Sequence, residues 1–328
     1  MRDWLDRPLV RALLALAVVI AVGLWFHADG TFYKLSTHTA LLRQVSVFGI
    51  LACGMTLVIV SGGIDLSVGS VLGLSAVLFS LTSIHWGWHA GLAIPFTLAA
   101  GLACGAVSGG LVAGFRMQPF IATLAMMVFA RGLAKWLSGG EKISQSARQE
   151  DGSFAYLELP PVFEVLDAKY FGGTVAAVTL IFLGCALLTG LLLTRLRAGR
   201  HLYAIGGNPE AARLSGIPVN RTRVMAYGLS GLLAAVAGIC QAAQEYQGDP
   251  ETGAAYELTA IAMVVLGGTS LSGGAGGIPL TLLGVLTIGY LEKILSINAV
   301  GESSRLMLTG AIVAGAVILQ QGKSRWSR

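Results

Sequence analysis

Long apolar runs separated by short polar breaks dominate the chain, and their lengths decide its class. Runs near the ~20 residues that a helix needs to cross a bilayer occupy Leu9–Phe26, Leu41–Ser61, Ser67–Ile84, Gly91–Phe115 and Pro119–Leu137. Beyond a polar stretch, further runs cover Thr174–Thr194, Val224–Ala243, Leu258–Leu266, Ile278–Ser296 and Arg305–Gln320. The pattern predicts an all-α fold, a polytopic transmembrane helical bundle of about ten spans, read as one domain over residues 1–328. The eighth run is short, so it either begins nearer Ala254 or is a broken half-helix. Gly62-Gly63 and Gly267-Gly268 each interrupt neighbouring runs, and re-entrant turns there would lower the count to about eight. The first run follows Arg2, Arg7 and Arg11 as a signal peptide would. Trp25-Phe26-His27-Ala28 is a poor cleavage site, however, so an uncleaved span is expected.

Composition agrees with this class. Apolar residues make up 55% and charged residues 12%, about half the charge of a soluble domain. The net charge of +5 sits in short loops, where it reads as a topology signal and not as a nucleic-acid face. The loop Arg195–Arg223 and the tail Lys323–Arg328 are the most basic segments, which predicts a cytoplasmic position for both and for both termini. Ser138–Gly173 then lies outside. Its acids (Glu141, Glu150, Asp151, Glu158, Glu164, Asp167) and Pro160-Pro161 fit either a solvated connector or a docking surface for an external protein.

Chemistry of other kinds finds little support. Cys53, Cys104, Cys185 and Cys240 each sit in an apolar run without paired spacing, as small buried hydrophobes do. His85 and His89 are separated by Gly87, which favours a turn over a metal-binding helix face. Gly322-Lys323-Ser324 looks like the end of a P-loop, but Val317 stands where the leading glycine belongs and an apolar run precedes it. No metal, no ATP site and no cluster of catalytic residues is expected, so the chain does not read as an enzyme.

Glycine is abundant, with 44 in 328 residues, and its spacing carries information. Gly101, Gly105 and Gly109 recur every four residues, followed by Gly110 and Gly114; Gly69 and Gly73 repeat the device. Small residues at this interval let helix backbones approach closely in lipid. Two glycine-rich hairpins are more distinctive: Ser61-Gly62-Gly63-Ile64-Asp65-Leu66-Ser67, and Gly267-Gly268-Thr269-Ser270-Leu271-Ser272-Gly273-Gly274. Both carry Gly-Gly, one further residue, a short polar residue and Leu-Ser. Asp65 is the only acid between Asp29 and Glu141. It reads either as a helix cap with Ser67 at the cytoplasmic surface or as an element of a pathway or gate, together with Gly62, Gly63, Gly267, Gly268, Thr269 and Ser270.

The basic loop holds a miniature helix. Asn208 can cap it, Pro209 suits its first position and Glu210 meets the positive end of its dipole. Ala211 and Ala212 continue it, and Gly216 supplies a left-handed stop. About two turns cannot be stable alone in water, so the stub packs against something. It is well placed to receive a push from a soluble partner.

Glu210-Ala211-Ala212, three residues and then Gly216 resembles the Glu-Ala-Ala loop of bacterial ABC-importer permeases. Taken with Ser61–Ser70, Ala204-Ile205-Gly206-Gly207-Asn208 and Gly267–Gly274, the chain resembles permeases of ribose-, xylose- and galactoside-type sugar importers over nearly its full length. That resemblance implies a bundle of the type seen in vitamin B12 importers, in the bacterial inner membrane. It implies a second permease copy or paralogue, two ATPase domains fitting the stub at Asn208–Gly216, and a periplasmic binding protein that delivers the sugar. ATP and magnesium would bind the ATPase subunits and not this chain. Many relatives carry arginine where this chain has Ala275, a departure that sets any role for a charge in that hairpin in question. A branched-chain amino acid or nucleoside permease is the nearest alternative. An ion-coupled secondary transporter differs in class and would have only Asp65 and Glu292 as candidate intramembrane acids.

Overall fold

The computed structural model describes residues 8–148, 153–301, 303–305, 307–308 and 310–311. Lipid offers no partner for a free backbone N–H or C=O, so apolar length becomes helix. The first half contains α1 (Pro8–Trp25), α2 (Leu35–Val60), α3 (Val68–Ser80, continued by a π-turn at Leu81–His85), α4 (Ala90–Gly114) and α5 (Pro119–Ser138). The polar segment follows, with β1 (Ser146–Arg148) antiparallel to β2 (Phe154–Tyr156), α6 (Pro161–Asp167), and β3 (Lys169–Tyr170) antiparallel to β4 (Val175–Ala176). The second half contains α7 (Ala177–Arg195), α8 (Arg197–Gly207), α9 (Pro209–Leu214), α10 (Val219–Glu245), α11 (Tyr256–Leu266) and α12 (Ile278–Ile297).

Among the described residues, 8 helices are long and apolar enough to cross a membrane, counting α3 with its π-turn as one. The short eighth run is a half-helix: α11 has 11 residues, about 16 Å of rise against the ~30 Å of a bilayer core. The predicted tenth span, Arg305–Gln320, lies mostly outside the described residues, as do the basic tail, Glu150 and Asp151.

Burial separates centre from rim. In the most apolar window, 94% of Val68–His85 and 83% of Leu35–Val60 is buried, against 11% of Pro8–Trp25. Thus α2 and α3, with α10, form the centre, while α1, α4, α5 and α7 turn apolar faces outward. The four cysteines are free and at least partly buried.

Glycine sets how close these helices come. A methyl group on Gly105 would lie 2.1 Å from the carbonyl oxygen of Tyr227, and one on Gly101 2.5 Å from that of Gly231. On Gly109 it would meet the Cα of Val224 at 2.8 Å. The four-residue repeat therefore seats α4 directly on the backbone of α10. Gly110 and Gly114, by contrast, face open space. Gly69 and Gly73 receive a non-helical segment instead of a helix, with the carbonyl oxygens of Gly253 and Thr252 occupying the space of their missing side chains.

The segment 138–173 is folded onto its end of the bundle. Phe163 is fully buried and stacks on Phe79 with ring centroids 4.9 Å apart. Arg43 pairs with Asp167. Ile143 and Gly248 exchange two backbone hydrogen bonds of 2.8 Å.

Gly105→Val should destabilise the α4–α10 contact by about 1–3 kcal/mol or more, because backbone and not a flexible side chain is in the way. Gly110→Ala should be neutral. Thermal unfolding of the purified protein in detergent checks both; equal midpoints for Gly105→Val and Gly110→Ala would contradict the packing described here.

Candidate functional site

The stub forms because its sequence satisfies its own ends. The Oδ1 of Asn208 accepts hydrogen bonds from the N–H groups of Glu210 and Ala211, both at 3.0 Å. Pro209 opens α9, Glu210 lies in its first turn, and Arg213 in its last turn sits 3.7 Å from the Glu210 carboxylate. At the far end Gly216 adopts φ +80°, a left-handed conformation that costs glycine little. Its N–H donates to the carbonyl of Arg213, and that of Ile217 to Ala212, both at 3.0 Å. This reverses the chain into α10.

A small apolar cluster holds the stub to the bundle. Ile205, Ala212 and Val219 are buried together, with Ala204 and Ile217 alongside. Leu214 lies two residues beyond Ala212, about 200° round the helix, and is 83% exposed. Glu210, Ala211, Arg213 and Ser215 are exposed with it. Sequence reasoning missed Leu214. The local signal was slight: in a six-residue helix anchored through Ala212, a leucine two positions on faces the other way.

Immediately before the stub, three glycine segments interlock. A methyl on Gly206 would lie 1.9 Å from the Val60 carbonyl oxygen and 2.4 Å from the Gly274 nitrogen. The Gly274 N–H donates to the Val60 carbonyl at 2.9 Å. Gly273 lies against Gly62, and Gly274 against Gly207. The Tyr203 hydroxyl donates to the Gly276 carbonyl at 2.9 Å, and burial pushes its phenol above the ordinary value. The two hairpins that share a sequence echo therefore meet at one end of the bundle, on the segment that leads into the stub.

The remaining candidate residues divide between this junction and the interior. Gly63 lies where a side chain would strike the Tyr227 hydroxyl. In the second hairpin, Gly267 packs on Leu280 and Gly268 on Pro8. Thr269 is buried, its hydroxyl oxygen 3.4 Å from the Gly277 nitrogen, and Ser270 donates its N–H to the Ala275 carbonyl.

Asp65 is fully buried and not at a surface. One carboxylate oxygen accepts from the Ser67 N–H at 3.0 Å and from the Ser67 hydroxyl at 2.6 Å. The other accepts from the Ser230 hydroxyl at 2.8 Å. Ser230 lies roughly 16 Å along α10 from its first residue, so α3 starts deep inside the bundle.

Beside the junction, a crevice of about 840 Å³ is bordered by Gly62, Gly63, Arg116, Arg213, Arg221 and Arg223. Among the described residues, no group of three or more His, Cys, Asp or Glu side chains is placed to hold a metal ion. His85 contacts the Ser144 carbonyl at 3.1 Å.

Residues 38–320 match the family model described as a branched-chain amino acid transport system / permease component. The ribose import permease protein RbsC of Escherichia coli K12 is 38% identical over 314 residues, 95% of this chain and 94% of that protein. RbsC of Bacillus subtilis 168 is 41% identical over 285 residues, 87% of this chain and 84% of its own length. The xylose transport system permease protein XylH of E. coli K12 is 34% identical over 367 residues, 97% and 93% of the two chains. No solved structure matches the chain. A multi-pass helical bundle, the stub and these full-length similarities lead to one assignment: the chain belongs to this family of transport-system permeases.

Proposed function

We propose that this chain is the membrane permease of an ATP-driven importer that moves a neutral sugar, handed over by a periplasmic binding protein, into the cytoplasm. The observation that carries the reading is the capped stub, which presents Leu214, Glu210 and Arg213 to solvent while Ala212 anchors it. A six-residue helix kept rigid and exposed suits a cleft in a soluble partner. The similarity to ribose and xylose permeases along nearly the whole chain favours a sugar.

In this reading the chain has no catalytic centre, and ATP with magnesium belongs to two partner ATPase domains. A second permease copy or paralogue completes the membrane part. Closure of the ATPases moves the stub. Because Gly206 and Gly207 lie against both hairpins, the push reaches α2, α3, α11 and α12 together. Arg116, Arg213, Arg221 and Arg223 give this end a positive surface, which suits the cytoplasmic side; both termini lie there. Segment 138–173 faces the periplasm, with Tyr156, Phe171, Glu158 and Glu164 exposed to meet the binding protein. Import of branched-chain amino acids is a second reading, carried by the description of the family model.

Uptake by cells carrying the assembled system, offered ribose, xylose or leucine, separates the two readings; uptake of leucine alone would reverse the preference. Leu214→Asp should weaken ATPase association about ten- to a hundredfold, since a buried leucine contributes about 1.5–3 kcal/mol. Gly216→Val should leave ATP hydrolysis intact and uncouple it from uptake. Normal uptake in both variants would remove the stub as the coupling element. Ser215→Cys should be shielded, and Ser153→Cys labelled, by an impermeant thiol reagent on intact cells lacking the native cysteines; the opposite pattern inverts the topology.

Asp65 separates cap from charge. Asn keeps an acceptor for Ser67 and can donate to a rotated Ser230 hydroxyl, so Asp65→Asn should assemble and transport. Asp65→Ala strands buried donors at a cost of about 1–3 kcal/mol. Loss of transport by a well-assembled Asp65→Asn variant would mean that the charge itself is needed.

A further inference from the structure

The chain between α10 and α11 takes an unusual route. Gly248 packs where Ala76 and Ser80 leave room, Thr252 lies on Gly73 and Gly253 on Gly69. The segment therefore descends along α3 by roughly 10–16 Å at 1.5 Å per residue. It is not helical, and it includes left-handed turns at Gly253 (φ +84°) and Ala255 (φ +63°). Only at Tyr256 does a helix resume, and α11 then covers the inner part of the depth alone.

Basic residues from the α5 side hold this descent in place. The Arg131 guanidinium donates to the carbonyls of Pro250 and Thr252, the latter at 2.7 Å. Lys135 pairs with Glu251 at 2.6 Å and Lys142 with Asp249 at 3.0 Å. Yet Glu251, Ala254 and Ala255 remain exposed. Irregular backbone exposed at membrane depth cannot face hydrocarbon; it occurs only where protein covers it or where it lines water. Ionisable side chains at that depth obey the same rule.

Charged and apolar groups meet on this face. A cavity of about 430 Å³ opens there, with Ser70, Arg131, Lys135 and Glu257 at its border beside the apolar Met127 and Val128. Its size falls within the ~300–1,000 Å³ of small-molecule sites. Glu257 offers acceptors, Lys135 and Arg131 offer donors, and the Ser70 hydroxyl offers both. A polyhydroxylated neutral solute needs that mixture. The crevice beside the Asp65 hairpin is larger, but it lies at the stub end and is bordered by arginines, with Asp65 and Thr269 themselves fully buried.

We infer that this face, formed by the descending segment 249–255, Ser70, Arg131, Lys135 and Glu257, lines the outer half of the solute route and contacts the passing polyol. The inference rests on the importer reading above and adds the residues that touch the cargo.

Ala254→Cys and, separately, Ala255→Cys are placed in the complete complex on a background lacking Cys53, Cys104, Cys185 and Cys240. Intact cells are treated with a charged, hydrophilic thiol reagent. Leu187→Cys, midway along α7 and 62% exposed on an apolar face, is the lipid-facing control. Reaction at Ala254→Cys or Ala255→Cys should be at least about tenfold faster than at Leu187→Cys, because the attacking thiolate needs water. The modified variant should also lose uptake. Reaction no faster than the control would place the face in lipid or in a sealed protein contact and overturn the inference. Rapid reaction that leaves uptake intact would equally overturn it, as a wet crevice off the route. Failure of the unsubstituted complex to take up ribose or xylose counts against the importer reading and leaves the labelling result to be judged by itself.

Discussion

Where Gly105 lies on the Tyr227 carbonyl there is no space for a methyl group, and the same holds for Gly206 on Val60 and for Gly284 on Met263. In lipid there is little hydrophobic force between helices, so contact quality depends on how closely backbones approach. This bundle brings backbones together at every level of its depth. Gly101, Gly105 and Gly109 seat α4 on α10, Gly238 seats α10 on α3, and Gly267 with Gly284 joins α11 to α12. A side chain at any of these points pushes apart two segments that each contact several others. The glycine content is thus a packing requirement distributed over the molecule.

That closeness makes room for polar groups where lipid would reject them. Asp65 is tolerated because its two oxygens take three hydrogen bonds from Ser67 and Ser230, and Gly54 lets α2 lie against the Ser230 backbone beside it. A carboxylate left without partners at that depth would cost about 2.5–3.5 kcal/mol on insertion scales. Arg131 solves the opposite problem. Its guanidinium fills the hydrogen-bonding needs of two carbonyls in a segment that abandons helix beside α3.

Much of this was legible in the sequence, for local reasons. Run length placed the full spans because backbone satisfaction in lipid depends on the segment alone. The stub could be read residue by residue, since caps at Asn208, Pro209 and Gly216 are set within four or five positions. The shortness of Leu258–Leu266 revealed the half-helix. What stayed hidden depends on distant pairs. Gly69 and Gly73 looked like a helix-packing motif, but nothing near them says that Thr252 and Gly253 fill the groove. The echo between the two hairpins was visible, whereas their meeting on Gly206 and Gly207 was not. Asp65 could be read as a surface cap or as a gate element, because nothing near it in the chain fixes its depth. Its burial follows from the depth of Ser230, more than a hundred positions away in the chain.

The stub and the junction constrain each other. A helix of 6 residues has too few internal bonds to hold its shape alone, so its geometry comes from Ile205, Ala212 and Val219 packed beneath it. Ile205 is the residue just before Gly206, whose backbone is gripped by Val60 and Gly274. Displacing the stub without moving the hairpins would therefore either pull Ala212 away from Ile205 or pull Gly206 off Val60 and Gly274. Moving them together breaks neither. Packed elements of this kind respond as rigid bodies with discrete arrangements and not by gradual bending. The ten residues from Ile205 to Leu214 thus connect an exposed leucine to both glycine hairpins. The arrangement needs no charge at Ala275, because the Tyr203 hydroxyl and the Gly274 N–H already hold that hairpin to the junction.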